Sequence, residues 1–288
     1  MNLHTPMRRV VAVVLLALLP GLTGGCETLT GILDAAPKPT ASVTGVSLQS
    51  LSVDGVDLVF VVRIDNPYSA PLPLVDVSYA LASRGASFLD GQAAITGSIP
   101  ANGSKTVEVP ARLSFANLLS SLQQVRPGAV VPYTADLGLS VDAPGVGRLS
   151  LPLRKQGELP VPAVPELSLA SVNFGELSLQ KATATLVVRM KNTNSFPLDL
   201  NEIAYDLSLA GTSVGDAKLA RAASLDPGGE STLELPLTIQ PIKLGLGALD
   251  LLRGAGGNYQ LTGAINASTP FGPINLPLNS TGQTAFKR

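Results

Sequence analysis

The chain has 288 residues, a formal net charge of −1, 14% charged and 45% hydrophobic residues, and 28 glycines and 23 prolines. The composition suits a turn-rich β protein better than a helical bundle or a disordered stress protein, and the lack of a three-residue glycine period excludes collagen. With no basic run, the electrostatic footprint of a nucleic-acid binder is missing.

Residues 1–25 hold the basic pair Arg8-Arg9, an apolar run from Val10 to Leu19, and the small residues Thr23-Gly24-Gly25 before the single cysteine, Cys26. The run is too short for a membrane-spanning helix, so the segment is expected to be a signal peptide. It resembles the bacterial lipoprotein signal, which implies acylation of the Cys26 thiol and cleavage before it. Thr23 departs from that pattern, in which leucine is usual, although Leu22 lies one residue earlier. The alternative is an ordinary export signal with an unmodified cysteine. Several acyl chains, at roughly 0.8 kcal/mol per buried methylene, make such an anchor permanent. In bacteria of the enterobacterial type Asp after the cysteine retains a lipoprotein in the inner membrane, so Glu27 implies the outer membrane, facing the periplasm. Residues 26–43 are then the lipidated cysteine and a flexible tether. Ala35-Ala36-Pro37-Lys38-Pro39-Thr40 has no periodic apolar face, and some 17 residues reach at most roughly 60 Å. The alternative for Leu29, Ile32 and Leu33 is a short helix on the membrane surface.

The chain then repeats itself. At an offset of 126 residues, 22 of the 65 positions from Val46 to Pro110 are identical without a gap, so residues 44–153 and 167–288 read as two copies of one domain. Leu58, Phe60, Val62 and Ile64 alternate with polar or outward residues, as in a strand with one buried face, and Ala184, Leu186, Val188 and Met190 preserve that face. Val77, Tyr79 and Leu81 answer to Ile203, Tyr205 and Leu207. Val107 to Leu113 answer to Leu233 to Ile239, and Tyr133 to Val141 answer to Tyr259 to Ala267. Leu149 to Leu153 answer to Ile274 to Leu278 after a one-residue deletion. Val46, Leu48, Leu51 and Val53 open the first copy with an irregular step that suggests a bulge. Asn117 to Val125 and Leu244 to Leu252 break the pattern with helical spacing. The fold expected is all-β: two tandem antiparallel β-sandwiches of fibronectin III or immunoglobulin type, each with one short helix. Residues 154–166, with three close prolines, read as a stiff linker that sets the domains end to end.

In the first copy a strand ends in Asn66-Pro67-Tyr68, followed by Pro71-Leu72-Pro73-Leu74 and Tyr79-Ala80-Leu81; the second has Asn192-Thr193-Asn194, Pro197-Leu198-Asp199-Leu200 and Tyr205-Asp206-Leu207. This pattern resembles the type 2 late embryogenesis abundant proteins, whose unit is the water-stress and hypersensitive-response domain. It covers nearly all of residues 44–284. The family often has Asn-Pro-Asn; here Tyr68 replaces the last asparagine of the first copy and Thr193 the proline of the second. The resemblance implies a β-sandwich, an association with desiccation or other stress, and no catalytic site. From the residues themselves, Asn66, Pro67, Pro71, Tyr79, Asn192, Pro197 and Tyr205 read as structural: asparagine caps a turn, and Pro67 ends a strand by withholding a donor. The alternative is that the Asn-Pro turns form a binding edge.

The only histidine is His4, inside the expected signal peptide, and there is no tryptophan. Without imidazole or free thiol, zinc and copper lose their preferred ligands and Ser-His-Asp or Cys-His catalysis cannot be assembled. The carboxylate pairs Asp54 with Asp57 and Glu202 with Asp206 fall on exposed strand phases or near turns, and Gly254-Ala255-Gly256-Gly257 follows an expected helix rather than a strand, the reverse of a nucleotide loop. The expectation is a non-enzymatic envelope protein without cofactor or metal, anchored to the membrane through Cys26, with no nucleic-acid partner, contributing to tolerance of desiccation, osmotic or other envelope stress. Two readings stand beside it. One is a periplasmic binding module for a lipid or other apolar ligand, with Ala129-Val130-Val131-Pro132 and Leu244 to Leu252 lining an opening between sheets. The other is a scaffold for an envelope protein complex, through free sheet edges.

Overall fold

The protein is described here by a computed structural model covering residues 37–178, 181–239 and 256–287. The first copy contains β1 (Thr40–Gln49), β2 (Gly55–Asp65), β3 (Leu72–Ser83), β4 (Ala86–Ala94), the two-residue β5 (Ser98–Ile99) and β6 (Ser104–Ser114). Helix α1 (Phe115–Ser121), β7 (Val130–Ala143) and β8 (Gly147–Pro160) complete it. The second copy runs through β9 (Glu166–Leu177), β10 (Ala182–Lys191), β11 (Leu198–Leu209), β12 (Thr212–Leu225), β13 (Glu230–Ile239), β14 (Gly256–Thr269) and β15 (Gly272–Lys287).

Each copy is a sandwich of three strands against four. In the first, the order β1-β2-β6 faces β4-β3-β7-β8, with β5 pairing the start of β3. The second repeats this as β9-β10-β13 and β12-β11-β14-β15. The inward positions of the period-two runs make the core: Leu58, Phe60 and Ile64 of β2, and Leu186, Val188 and Met190 of β10, are fully or almost fully buried. Burying such side chains contributes about 1.5–3 kcal/mol each, which sets the register, because a one-residue slip would turn the whole row to water.

The two copies differ in closure. In the second, the end of β15 forms a short parallel ladder with β9, Ala285 to Lys287 against Ser171 to Asn173, so the two sheets join into one of seven strands. This is an exception to the antiparallel pairing expected. Phe286 meets Phe174 edge to face at 5.6 Å across that junction, and β12 lies alongside β13. The first copy has no β8–β1 ladder among the described residues. Its β4 and β6 are bridged at one end by α1, which packs against both.

Three boundaries differ from expectation. β1 begins at Thr40, which pairs with Asp65, so residues 40–43 belong to the sheet rather than the tether. β8 runs on to Pro160 through seven residues expected as linker. Its apolar alternation is interrupted at Gly157 because the Tyr133 ring from the neighbouring strand lies over that glycine. Helix α1 starts two residues before the expected Asn117, because Phe115 and Leu118 are the side chains that it buries. The second expected helix, Leu244 to Leu252, lies outside the described residues, as do the segment expected to be a signal peptide and Cys26. Among the described residues no helix is long and apolar enough to cross a membrane.

A tyrosine faces a glycine across four ladders, Tyr79 with Gly91, Tyr133 with Gly157, Tyr205 with Gly263 and Tyr259 with Gly282, and in all but the Tyr205 pair the ring lies over the glycine. A strand glycine weakens the sheet unless a neighbouring ring covers it. A Cβ on Gly157 would come within 2.6 Å of the Tyr133 hydroxyl, and that tyrosine is 4% exposed and has nowhere to go. Gly157→Ala is therefore expected to destabilise the first sandwich by about 1–3 kcal/mol through overpacking. Chemical denaturation would measure this, and an unchanged midpoint would show that the ring moves aside freely.

Candidate functional site

The two motif asparagines sit at the lower end of their sandwiches, where β2 passes to β3 and β10 to β11. Asn66 and Asn192 are 2% and 0% exposed. The Asn66 side-chain amide donates to the carbonyls of Ala70 (2.9 Å), Pro100 (2.9 Å) and Ile99 (3.4 Å), and its Oδ1 accepts from the Tyr68 N–H (2.9 Å). Asn192 repeats this at the 126-residue offset, donating to Phe196 (2.8 Å), Asp226 (3.1 Å) and Leu225 (3.2 Å) and accepting from the Asn194 N–H (2.9 Å). Each asparagine thus ties its own turn to the distant turn before β6 or β13, using both donors and its acceptor. The backbone N–H of each adds a bond to the Gly103 or Gly229 carbonyl at 2.8 Å. Pro67 follows Asn66 outside β2; Pro71 and Pro197 immediately precede β3 and β11.

The motif tyrosines diverge. Tyr79 is half-buried and its ring lies over Gly91. Tyr205 is buried, and its hydroxyl donates to the Pro236 carbonyl on β13, linking the two sheets. Burial pushes the Tyr205 phenol up to about 12 and raises Tyr133 in the same direction.

In the second copy the turn after Asn192 also reaches the first domain. The Asn194 Oδ1 accepts from the Ala163 N–H (2.7 Å) and its Nδ2 donates to the Ala163 carbonyl (3.0 Å). The backbone N–H of Ser195 and its hydroxyl both donate to the Gly128 carbonyl, at 2.8 and 2.9 Å. Gly128 itself donates to Val161 at 2.6 Å. Val161, Pro162 and Pro165 of the connecting segment are buried, so the segment is packed between the sandwiches as well as stiffened by proline. Among the described residues the first copy has no counterpart to the Asn194 contacts, since Tyr68 replaces Asn194 and Pro37, which lacks an N–H, replaces Ala163. Sequence reading noted the departures at Tyr68 and Thr193 without assigning them a contact. The usable signal was that Asn194 enters a turn that is otherwise repeated.

At the upper end of the first sandwich, beside this seam, lies a cavity of about 430 Å³. Ala129, Val130, Val131 and Pro132 form one wall, and Leu122 and Val125, just after α1, form another. Ser83 and Arg84 of the β3–β4 hairpin also line it.

Elsewhere charge is paired on the solvent faces. Arg112 meets Asp57 at 2.7 Å, Arg154 meets Asp136 at 2.6 Å, and Arg63 meets Asp65 at 2.9 Å. The hydrogen bond from Arg112 holds the Asp57 carboxyl below its ordinary value. No group of three His, Cys, Asp or Glu side chains able to hold a metal occurs among the described residues.

Comparison with known proteins agrees with the repeat. The model of the family described as late embryogenesis abundant protein, LEA_2, matches residues 61–157 and again residues 187–282. A desiccation protectant protein Lea14 homolog of Glycine max is 34% identical over 131 residues, covering 46% of this chain and 86% of that protein. The late embryogenesis abundant protein Lea14-A of Gossypium hirsutum is 31% identical over 130 residues, covering 45% and 86%. The solution structure of a late embryogenesis abundant protein is 30% identical and covers 48% of this chain and 81% of its own, with a TM-score of 0.38.

Proposed function

The chain belongs to the type 2 late embryogenesis abundant family, carried as two tandem copies, and on that premise we propose that it is a non-enzymatic, lipid-anchored envelope protein contributing to desiccation, osmotic or other envelope stress tolerance. The observation that carries this reading is the double family match, with relatives whose printed descriptions are desiccation protectant and late embryogenesis abundant protein. The anchor rests on Thr23-Gly24-Gly25-Cys26, and Glu27 after it supports the outer membrane, facing the periplasm. With β1 starting at Thr40, residues 26–39 would span at most about 50 Å from the lipid to the lower end of the first sandwich. The protective contact is then made by the polar outer faces of the sheets with membrane or protein surfaces.

The test is a deletion strain dried, or shifted through an osmotic step, and complemented with wild type or Cys26→Ala. Survival is expected to fall on deletion and to be restored by wild type only. Cys26→Ala should leave the membrane fraction. Unchanged survival under each stress would overturn the role, and a membrane-bound Cys26→Ala would overturn the anchor.

A further inference from the structure

We propose that the cavity at the upper end of the first sandwich binds an amphiphile with a single alkyl chain and an anionic head group, a site that goes beyond the stress-protein reading and does not rest on it. The volume of about 430 Å³ lies within the roughly 300–1,000 Å³ of small-molecule sites. Leu122, Val125, Ala129, Val130 and Val131 supply the apolar walls, and Arg84, Gln123 and Gln124 the polar side. No Asp or Glu lines it.

The charge argument selects the head group. Arg63, Arg112, Arg148 and Arg154 each pair with an aspartate. Arg84, which lines the cavity, and Arg126, one residue beyond the lining Val125, have no ion-pair partner among the described residues; Arg189 of the second copy also has none, but no apolar pocket lies against it. An unpaired guanidinium over an apolar pocket favours a carboxylate or phosphate, which it grips through charge-assisted hydrogen bonds. Arg84 is also a poor choice for its own backbone. It lies at φ 49°, followed by Gly85 at 86°, a hairpin in which asparagine or glycine is preferred at the first position. The equivalent hairpin of the second copy has Ala210 at φ 47°, so the turn itself does not call for arginine.

The upper end of the first sandwich is left to α1 and the 122–131 loop, with β4 touching β6 only lightly and no β8–β1 ladder among the described residues. The second sandwich is joined by the β15–β9 ladder, and the counterpart of that loop lies outside the described residues. Another hollow of similar size among the described residues, at the lower end of the first sandwich, is lined by Lys38 and Arg63, and Arg63 is paired with Asp65.

The experiment uses the full chain with Cys26→Ser, which cannot be acylated, titrated into dansyl-undecanoate and followed by fluorescence. One saturable site per chain is expected. Dodecanoate and dodecyl phosphate should compete, their order distinguishing a fatty acid from a lysophospholipid source, while dodecanol should compete at least tenfold less well. Arg84→Ala should weaken dodecanoate about tenfold and leave dodecanol unchanged. Ala86→Trp, or independently Gln124→Trp, should block the mouth and abolish binding without altering the melting curve. No saturable binding, undiminished binding in a folded tryptophan variant, or dodecanol equal to dodecanoate would each overturn the proposal. None of these results bears on the survival experiment, so the two readings fail separately.

Discussion

Asn192→Ala is expected to destabilise the second sandwich by about 3–5 kcal/mol and lower its melting temperature by about 10–20 °C. The side chain is fully buried, and its amide serves the carbonyls of Phe196, Leu225 and Asp226 while its Oδ1 takes the Asn194 N–H. Alanine removes all of these at once. A buried backbone group left without a partner costs about 1–3 kcal/mol, more than the net gain of the bond that it made. Asn66→Ala should have a similar effect on the first sandwich, because the same network recurs there. Asn201→Ala is the control: that side chain is exposed and bonds only the Ser268 hydroxyl, so a change within about 0.5 kcal/mol is expected. Calorimetry of the three variants decides the matter. A shift of less than about 3 °C for Asn192→Ala would mean that water replaces the amide, and the structural account of the motif would fall.

Gly128→Ala should separate the domains while leaving each folded. Gly128 has φ +90°, and a Cβ there would come within 2.6 Å of the Thr193 carbonyl across the seam. The left-handed backbone costs a non-glycine residue roughly 1 kcal/mol, and the overlap is with backbone, which no rotamer change can relieve. The bonds from Ser195 to the Gly128 carbonyl are then lost. Small-angle scattering should show a broadened distribution of interdomain distances, and NMR relaxation should give shorter tumbling times for both sandwiches. Scattering and relaxation identical to wild type would show that the buried connecting segment alone fixes the arrangement. Asn194→Ala should loosen the seam less, because the Ser195 bonds survive.

How far the chain could be read follows from the range of each interaction. The strand faces of β2, β3, β6 and their partners were legible because a sandwich with one wet face per sheet imposes a period of two, and the offset of 126 residues doubled every signal. The ends of elements were less legible. Polar Arg154 to Gly157 looked like linker because the apolar position opposite Tyr133 is filled by the ring of Tyr133 itself. Tyr79 and Tyr205 occupy matching positions, yet one covers a strand glycine and the other bonds across the sheets. Their surroundings differ, and no local pattern records that.

By itself the sequence determined the two-copy organisation, the all-β class, the face of each principal strand and the family, because these depend on local periodicity and on comparison of the chain with itself. Only the tertiary structure decided the closure of the second sandwich by β15 against β9, the grip of Asn194 and Ser195 on the first domain, and the meeting of Arg84 with the walls at Leu122 and Val130. Each of these joins segments tens of residues apart, and whether two such segments meet depends on how the intervening strands twist and pack.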